Sequence, residues 1–275
     1  MHLKESYTNS KIVGIQFSIL SPDEIRKASV AEITSKDTYV NNKPVIGGLF
    51  DPRMGVLEPG MLCPTDGLNY IDCPGYPGHI ELGRPVFYIQ HLATVIKILN
   101  CVCFKCSKLL LNKDKHKYAL KMNNYDRWKY VSLQCKIVKG CGNDTNNGCG
   151  CLKPKIKKET SGIATIMAEW KNQNGEENNI SIKLTPEIVL KILKRITDED
   201  VNFMGFSPIF SRPDWMICQV LSVPPPVVRP FVKQNAQQRS DDDLTHLLVT
   251  IIKTNNHLKE KIENNVPDAE IDNMT

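Results

Sequence analysis

The chain has 275 residues, 41% hydrophobic and 24% charged, with ten cysteines and a formal net charge of +5. That length accommodates one large or two modest domains with a real core. It shows no apolar run of about 18 residues and no secretory leader pattern, which excludes a membrane helix, and ten cysteines are too few for a disulfide scaffold of this size, which argues for a reducing, intracellular setting.

Residues 11–20, KIVGIQFSIL, are rich in β-formers and predict a strand. A helix start follows, with Ser21 as N-cap, Pro22 at the first helical position and Glu24 at the capping-box position. Residues 47–79 are dense in Gly and Pro and predict ordered loops. Within them Cys63 and Cys73 are followed by His79, three ligand types where a structural zinc wants four. Leu92, Val95, Ile96 and Leu99 form a helical stripe that runs into CVCFKC. Thr185 and Pro186 open a third helix, whose buried stripe is Ile188, Val189, Ile192, Leu193 and Ile196. VLSVPPPVVRPFV is incompatible with helix, and its successive prolines impose an extended course. The last predicted helix takes Ser240 as N-cap and Asp241, Asp242 and Asp243 in its first turn. Its inward stripe is read as Leu244, Leu247, Leu248, Ile251 and Ile252. The chain then reaches AEIDNMT with no turn or cap that closes a domain, and this helix is expected to lack packing partners.

Seven of the ten cysteines fall in the 51 residues from Cys101. Cys103 and Cys106 form a CxxC knuckle, and Cys141 and Cys149 supply a second pair from a polar, Gly-rich loop. Two thiolates from one tight turn plus a distant pair complete a zinc tetrahedron. Cys101, Cys135 and Cys151 lie close by in sequence. From Lys105 to Lys158 there are 14 bases against three acids, in a chain that is otherwise acidic. Such a segment is either a solvated basic face or a contact for phosphates. The Asp241–Asp243 triplet reads as a helix first turn and not as a magnesium site. Neither a Ser/His/Asp nor a Cys/His arrangement is evident, nor is a phosphate loop, so no catalytic residue is assigned.

Several stretches in this order are distinctive: IQFSILSPDEIRKASVAEI, GGLFDPRMG, CPGYPGHIELGRPVF, CVCFKCSKLLL, RPDWMICQVLSVPPPVVRP and QRSDDDLTH. Together they resemble the amino-terminal region of the largest subunit of multisubunit DNA-dependent RNA polymerases, most like the RNA polymerase II type, from about residue 11 onward. The abundance of Lys and Asn suggests a version from a large DNA virus. The resemblance implies an α+β clamp module, irregular and zinc-containing, with short strands, several helices and long ordered loops. It closes over DNA and the RNA–DNA hybrid.

What the resemblance implies about sites can be stated residue by residue. One zinc falls to Cys103, Cys106, Cys141 and Cys149, while Cys135 matches a cysteine that is not a ligand. The family's second zinc motif, Cys-x2-Cys-x6-Cys-x2-His, falls on Cys63, Asp66, Cys73 and Tyr76, with two ligands replaced. That predicts an empty or weak site; the alternative is a rebuilt one of Cys63, Asp66, Cys73 and His79. Residues 229–243 match the lid loop, with Arg229, Lys233 and Arg239 as cations for phosphates.

The implied organisation is a clamp core over 1–100 with its degenerate zinc loop at 62–82 and a basic zinc module over 101–160. A helical part of the core follows over 161–228, then the lid over 229–243 and the start of a further helix over 244–275. Implied partners are template DNA, the RNA–DNA hybrid, nascent RNA, and the second-largest and other subunits, with no membrane. The family's magnesium-binding loop, Asn-Ala-Asp-Phe-Asp-Gly-Asp, does not occur in this sequence. The chain therefore reads as part of a nucleotidyltransferase, inactive alone. The alternatives are a free-standing zinc-containing nucleic-acid binder derived from the clamp, or a non-functional truncated product. The expected location is intracellular: a viral factory or virion if viral, otherwise the nucleus.

Overall fold

The computed structural model describes residues 11–145, 147–159, 164–170, 180–233 and 239–267. Residues 11–20 form no strand: Ile12, Val13, Ile15 and Phe17 are exposed. The expectation fails because strand propensity is a packing preference, and the bond from the Ile19 N–H to the Phe210 carbonyl is no ladder. Helix α1 (Pro22–Ala28) then starts as its sequence dictates. Ser21 Oγ accepts the Glu24 N–H at 3.2 Å, and Glu24 returns a carboxylate to the Ser21 N–H at 2.8 Å.

A short hairpin follows, β1 (Tyr39–Val40) and β2 (Lys43–Pro44), turned by Asn41 and Asn42, both at positive φ. Asparagine tolerates that region better than other side chains. The Gly/Pro-rich loops are ordered as expected, around the 3-10 turn Pro52–Met54. They lead into β3 (Gly78–Phe87). Helix α2 (Leu92–Leu99) buries Leu92, Val95, Ile98 and Leu99. Helix α3 (Asn124–Ile137), capped by Asn123, buries only Arg127, Val131 and Cys135, a stripe too thin to announce itself in sequence.

Strands β4 (Lys155–Lys158), β5 (Ile166–Trp170) and β6 (Ile180–Leu184) make a three-stranded antiparallel sheet. Helices α4 (Pro186–Lys194) and α5 (Asp198–Met204) are capped by Thr185 and Thr197. Gly205, at φ 95°, ends α5 against α3; a Cβ there would lie 2.5 Å from the Asn124 carbonyl oxygen. These elements enclose the larger core, where Ile98, Val131, Ile166, Val189, Leu193, Val201 and Met204 are fully buried. Each large aliphatic side chain there contributes about 1.5–3 kcal/mol by leaving water.

Strand β7 (Ile217–Val223) pairs antiparallel with β3. It takes the first part of the segment expected to be extended, but a 3-10 turn, Pro226–Val228, interrupts the rest. The β3–β7 register shifts between Glu81 and Val86, an irregularity that contains Gly83. Helix α6 (Asp243–Glu263) packs against β3. Its buried Asn255 accepts the Gly83 N–H at 2.8 Å and donates to the Glu81 carbonyl at 2.9 Å.

Three expectations for α6 are therefore corrected. Its N-cap is Asp242, accepting from Leu244 N–H, while Ser240 belongs to β9 (Arg239–Ser240), paired with β8 (Val232–Lys233). The buried stripe is Thr245, Leu248, Ile252, Asn255 and Leu258, while Leu244, Leu247 and Ile251 are exposed. The helix also has packing partners, lying on β3 and a smaller core of Ile33, Leu49, Met54, Ile80 and Val223. It ends at Glu263 with Asn264 as C-cap, and AEIDNMT lies outside the described residues.

Candidate metal centre and nucleic-acid contacts

The four cysteines singled out in sequence come together. Their sulfurs all lie within 4.8 Å of one another. Cys103 and Cys149 Sγ are 3.5 Å apart, and Cys106 and Cys141 Sγ 3.6 Å. Zinc–sulfur bonds of about 2.3 Å set the edge of a ZnS4 tetrahedron near 3.8 Å, so the thiols fit that ion with little movement. The knuckle at 103–106 is closed by Ser107 N–H on the Cys103 carbonyl and Cys103 N–H on the Lys108 carbonyl, both at 2.9 Å. The second pair is held by Cys141 N–H on the Cys151 carbonyl at 2.9 Å and Gly150 N–H on the Cys141 carbonyl at 3.1 Å. Gly142 and Gly148 touch across this loop; a Cβ on Gly148 would fall 2.2 Å from Gly142 Cα.

Backbone donors already point at the sulfurs. Cys149 N–H lies 3.4 Å from Cys141 Sγ. The Cys149 thiol is brought down to about 7, first by the Cys151 N–H and then by the Cys103 thiol. Burial pushes Cys103 up, against N–H donors from Cys106 and Lys105. Such donors stabilise the thiolate form that a metal needs. Cys135 is buried and lies outside the set, as does Cys151, whose sulfur faces the Leu152 carbonyl.

The first cysteine loop is built differently. Cys63, Asp66 and Cys73 offer ligand atoms within 4.8 Å of one another. Tyr76 points its hydroxyl at the same carboxylate and donates to Asp66 Oδ2 at 3.0 Å. Asp66 is held below the usual carboxylate range, first by Leu68 N–H. The Asp66 carboxylate pushes the Tyr76 hydroxyl up, and burial pushes Cys73 up to about 11. Further hydrogen bonds tie the loop down: Thr65 Oγ1 donates to the Arg53 carbonyl at 2.6 Å and Tyr76 N–H to the Met54 carbonyl at 2.9 Å. His79 is not brought into this group. It sits in β3 with Nδ1 2.7 Å from Ser29 Oγ and Nε2 3.7 Å from Glu81.

Of the three cations expected to meet phosphates, Arg229 needs correction. Arg229 is fully buried. It donates to the Pro224 carbonyl at 3.0 Å, to the Leu49 carbonyl and to Thr245 Oγ1, and lies over the Phe50 ring. Burial brings its pKa down to about 10. A guanidinium so enclosed has no face for a phosphate. Arg239 donates to Glu58 Oε1 at 2.7 Å and stacks on Tyr39, 3.9 Å from the ring centroid, and on Phe231. It latches the base of the loop to the β1–β2 hairpin region. Lys233 is described by its backbone alone.

Nor is the basic segment a uniform solvated face. Lys113 pairs with Asp200 and Glu199, Lys115 with Asp144, Lys117 with Asp114 and Lys157 with Glu169. Lys136 and Lys139 remain exposed. Sequence gave the charge density of the segment but not which of its cations stay available, because the pairing is long-range.

A cysteine tetrad closed by two turns, on a small mixed helix–sheet scaffold with basic surroundings, is a set that could hold a metal ion. The chain belongs to the family described as RNA polymerase Rpb1, domain 1, whose model matches residues 9–275, and so to the amino-terminal region of the largest RNA polymerase subunit. It is 40% identical to DNA-directed RNA polymerase subunit Rpo1N of Methanocaldococcus jannaschii, over 98% of this chain and 20% of that protein. It is 36% identical to the Rpo1N subunit of Sulfolobus acidocaldarius, over 97% of this chain and 30% of that protein. The chain thus spans less than a third of the curated relatives it matches. Among the described residues no helix is long and apolar enough to cross a membrane.

Proposed function

We propose that this chain is the amino-terminal clamp piece of a DNA-directed RNA polymerase largest subunit, holding DNA and the RNA–DNA hybrid while nucleotidyl transfer is performed elsewhere in the assembly. The observation that carries this is the family match over residues 9–275. Cys103, Cys106, Cys141 and Cys149 would hold one zinc, which fastens the Gly- and Asn-rich loop 140–151 to the knuckle. Structural zinc contributes apparent binding free energies of about 10–16 kcal/mol in small modules, enough to order a polar loop with little core of its own. The Cys63 loop keeps its shape through the Asp66–Tyr76 hydrogen bond and needs no second ion. Magnesium belongs to the Asp-rich loop that this sequence lacks.

The partners on this reading are template DNA, hybrid and nascent RNA, with the second-largest and other polymerase subunits. Lys233 remains the lid cation offered to phosphates, whereas Arg229 and Arg239 build the loop's base. The test is native purification of the tagged chain from its source, followed by mass spectrometry. Recovery together with the Asp-rich loop, on the same or on a second polypeptide, is the expected result. Isolation of the chain alone, with no affinity for an RNA–DNA hybrid, overturns the proposal.

A further inference from the structure

Between the last turn of α3, the Gly140–Leu152 bridge, the start of β4 and the end of β5 lies an open cleft of about 680 Å³. Lys136, Lys139, Lys153, Lys155, Glu169 and Trp170 are among its lining residues. Four cations and one acid therefore face a single space. Lys153 Nζ donates to the Cys135 carbonyl at 2.7 Å and covers the negative end of α3, which would otherwise repel an anion. Glu169 is already matched by Lys157 at 2.9 Å. Lys136 and Lys139 have no carboxylate partner among the described residues.

Trp170 forms a fixed aromatic wall. Its indole N–H donates to the Leu152 carbonyl at 3.2 Å, and its ring meets Phe104 edge-on at 5.2 Å. The bridge beneath it continues into the second cysteine turn through Cys141 N–H and the Cys151 carbonyl. Lysines that track a backbone, beside one aromatic face for an unstacked base, are the parts of a single-strand site. An acidic peptide would use the lysines and leave Trp170 idle.

We infer that this cleft binds a segment of single-stranded nucleic acid, with phosphates on Lys136, Lys139 and Lys155 and a base against Trp170. The inference rests on the nucleic-acid-binding reading proposed above, and it names a place on the chain that is separate from the lid.

The test uses the full chain, zinc-loaded, and a 12-nucleotide oligouridylate as probe, read by anisotropy and tryptophan emission over a salt series. The triple variant Lys136→Gln, Lys139→Gln, Lys155→Gln changes exposed side chains only. It should weaken binding about tenfold or more and reduce the salt slope by about 2, at roughly 0.7 per lost phosphate contact on a single strand. Binding should quench emission in the parent and not in Trp170→Phe, which keeps the wall. If the triple variant binds with unchanged affinity and slope, the cleft is not the site, although the wider reading survives. If the parent chain binds neither this probe nor a hybrid, both fall. If polyglutamate competes with the same slope and no quench accompanies either ligand, the cleft serves an acidic protein and the nucleic-acid assignment is overturned.

Discussion

Replacing Arg229 with Met separates two roles for a residue that sequence alone assigns to phosphate binding. The side chain is fully buried and makes hydrogen bonds to the Pro224 and Leu49 carbonyls and to Thr245. Hydrogen bonds from a charged donor contribute about 1.5–3 kcal/mol each, and a buried carbonyl left unpaired costs about 1–3 kcal/mol. Against this, Met avoids the cost of keeping a guanidinium out of water, a cost visible in its pKa of about 10. Losing the bonds to the two carbonyls then leaves a net destabilisation of about 3 kcal/mol. For a chain of this size that lowers Tm by about 5 °C. Chemical denaturation of Arg229→Met, with a hybrid-binding salt series alongside, measures both quantities. The expected result is lost stability at an unchanged salt slope. Stability within about 0.5 kcal/mol of the parent, with a slope reduced by about one, would refute the buried role and return Arg229 to the phosphates.

Asp51 is held below the ordinary carboxylate range. Burial acts upward, but the Arg53 guanidinium and the N–H groups of Gly47 and Arg53 outweigh it. Because the folded value is depressed, its stabilisation is fully present above about pH 4, the unfolded value, and is lost as pH falls through the lower, folded one. Asp51→Asn should therefore flatten the acid limb of a stability–pH curve, and an unchanged limb refutes this. Asp66→Cys combined with Tyr76→His restores four ligands in the first cysteine loop; metal analysis should rise from one zinc per chain to two, and a parent already holding two defeats the reading of that loop. Asn255→Leu strips both hydrogen bonds from the β3 irregularity and should cost about 1–3 kcal/mol by removing the side-chain partner of two part-buried backbone groups; faster exchange of the Gly83 amide is the local readout, and protection equal to the parent is the refuting one.

Local chemistry was legible in the sequence wherever a few adjacent residues decide it. Ser21 and Thr185 cap the helices they were read to cap, and the cysteine pairs of 103/106 and 141/149 converge across 35 residues and more. What resisted was long-range. Strand β3 was invisible because its partner β7 begins some 130 residues later. The 11–20 strand was expected from residue type, but a strand exists only against an edge. The face of α6 was misjudged because its inward stripe contains Asn255, a polar residue that hydrophobic periodicity discards and the β3 irregularity requires. Arg229 misled for the same reason: a cation in a Pro-rich loop reads as solvent-facing until Leu49 and Thr245 arrive from far along the chain.

The Asn255 contact also makes α6 and the β3–β7 pair one mechanical unit. Sliding the helix by a single turn, about 6 Å over four residues, would bring Ile251 or Lys259 to Gly83, and neither side chain can both accept from its N–H and donate to Glu81. Gradual slippage is thereby forbidden. Any swing of the sheet must be transmitted, like torque through a keyed shaft, along α6 to Asp242 and the latched strand that precedes it.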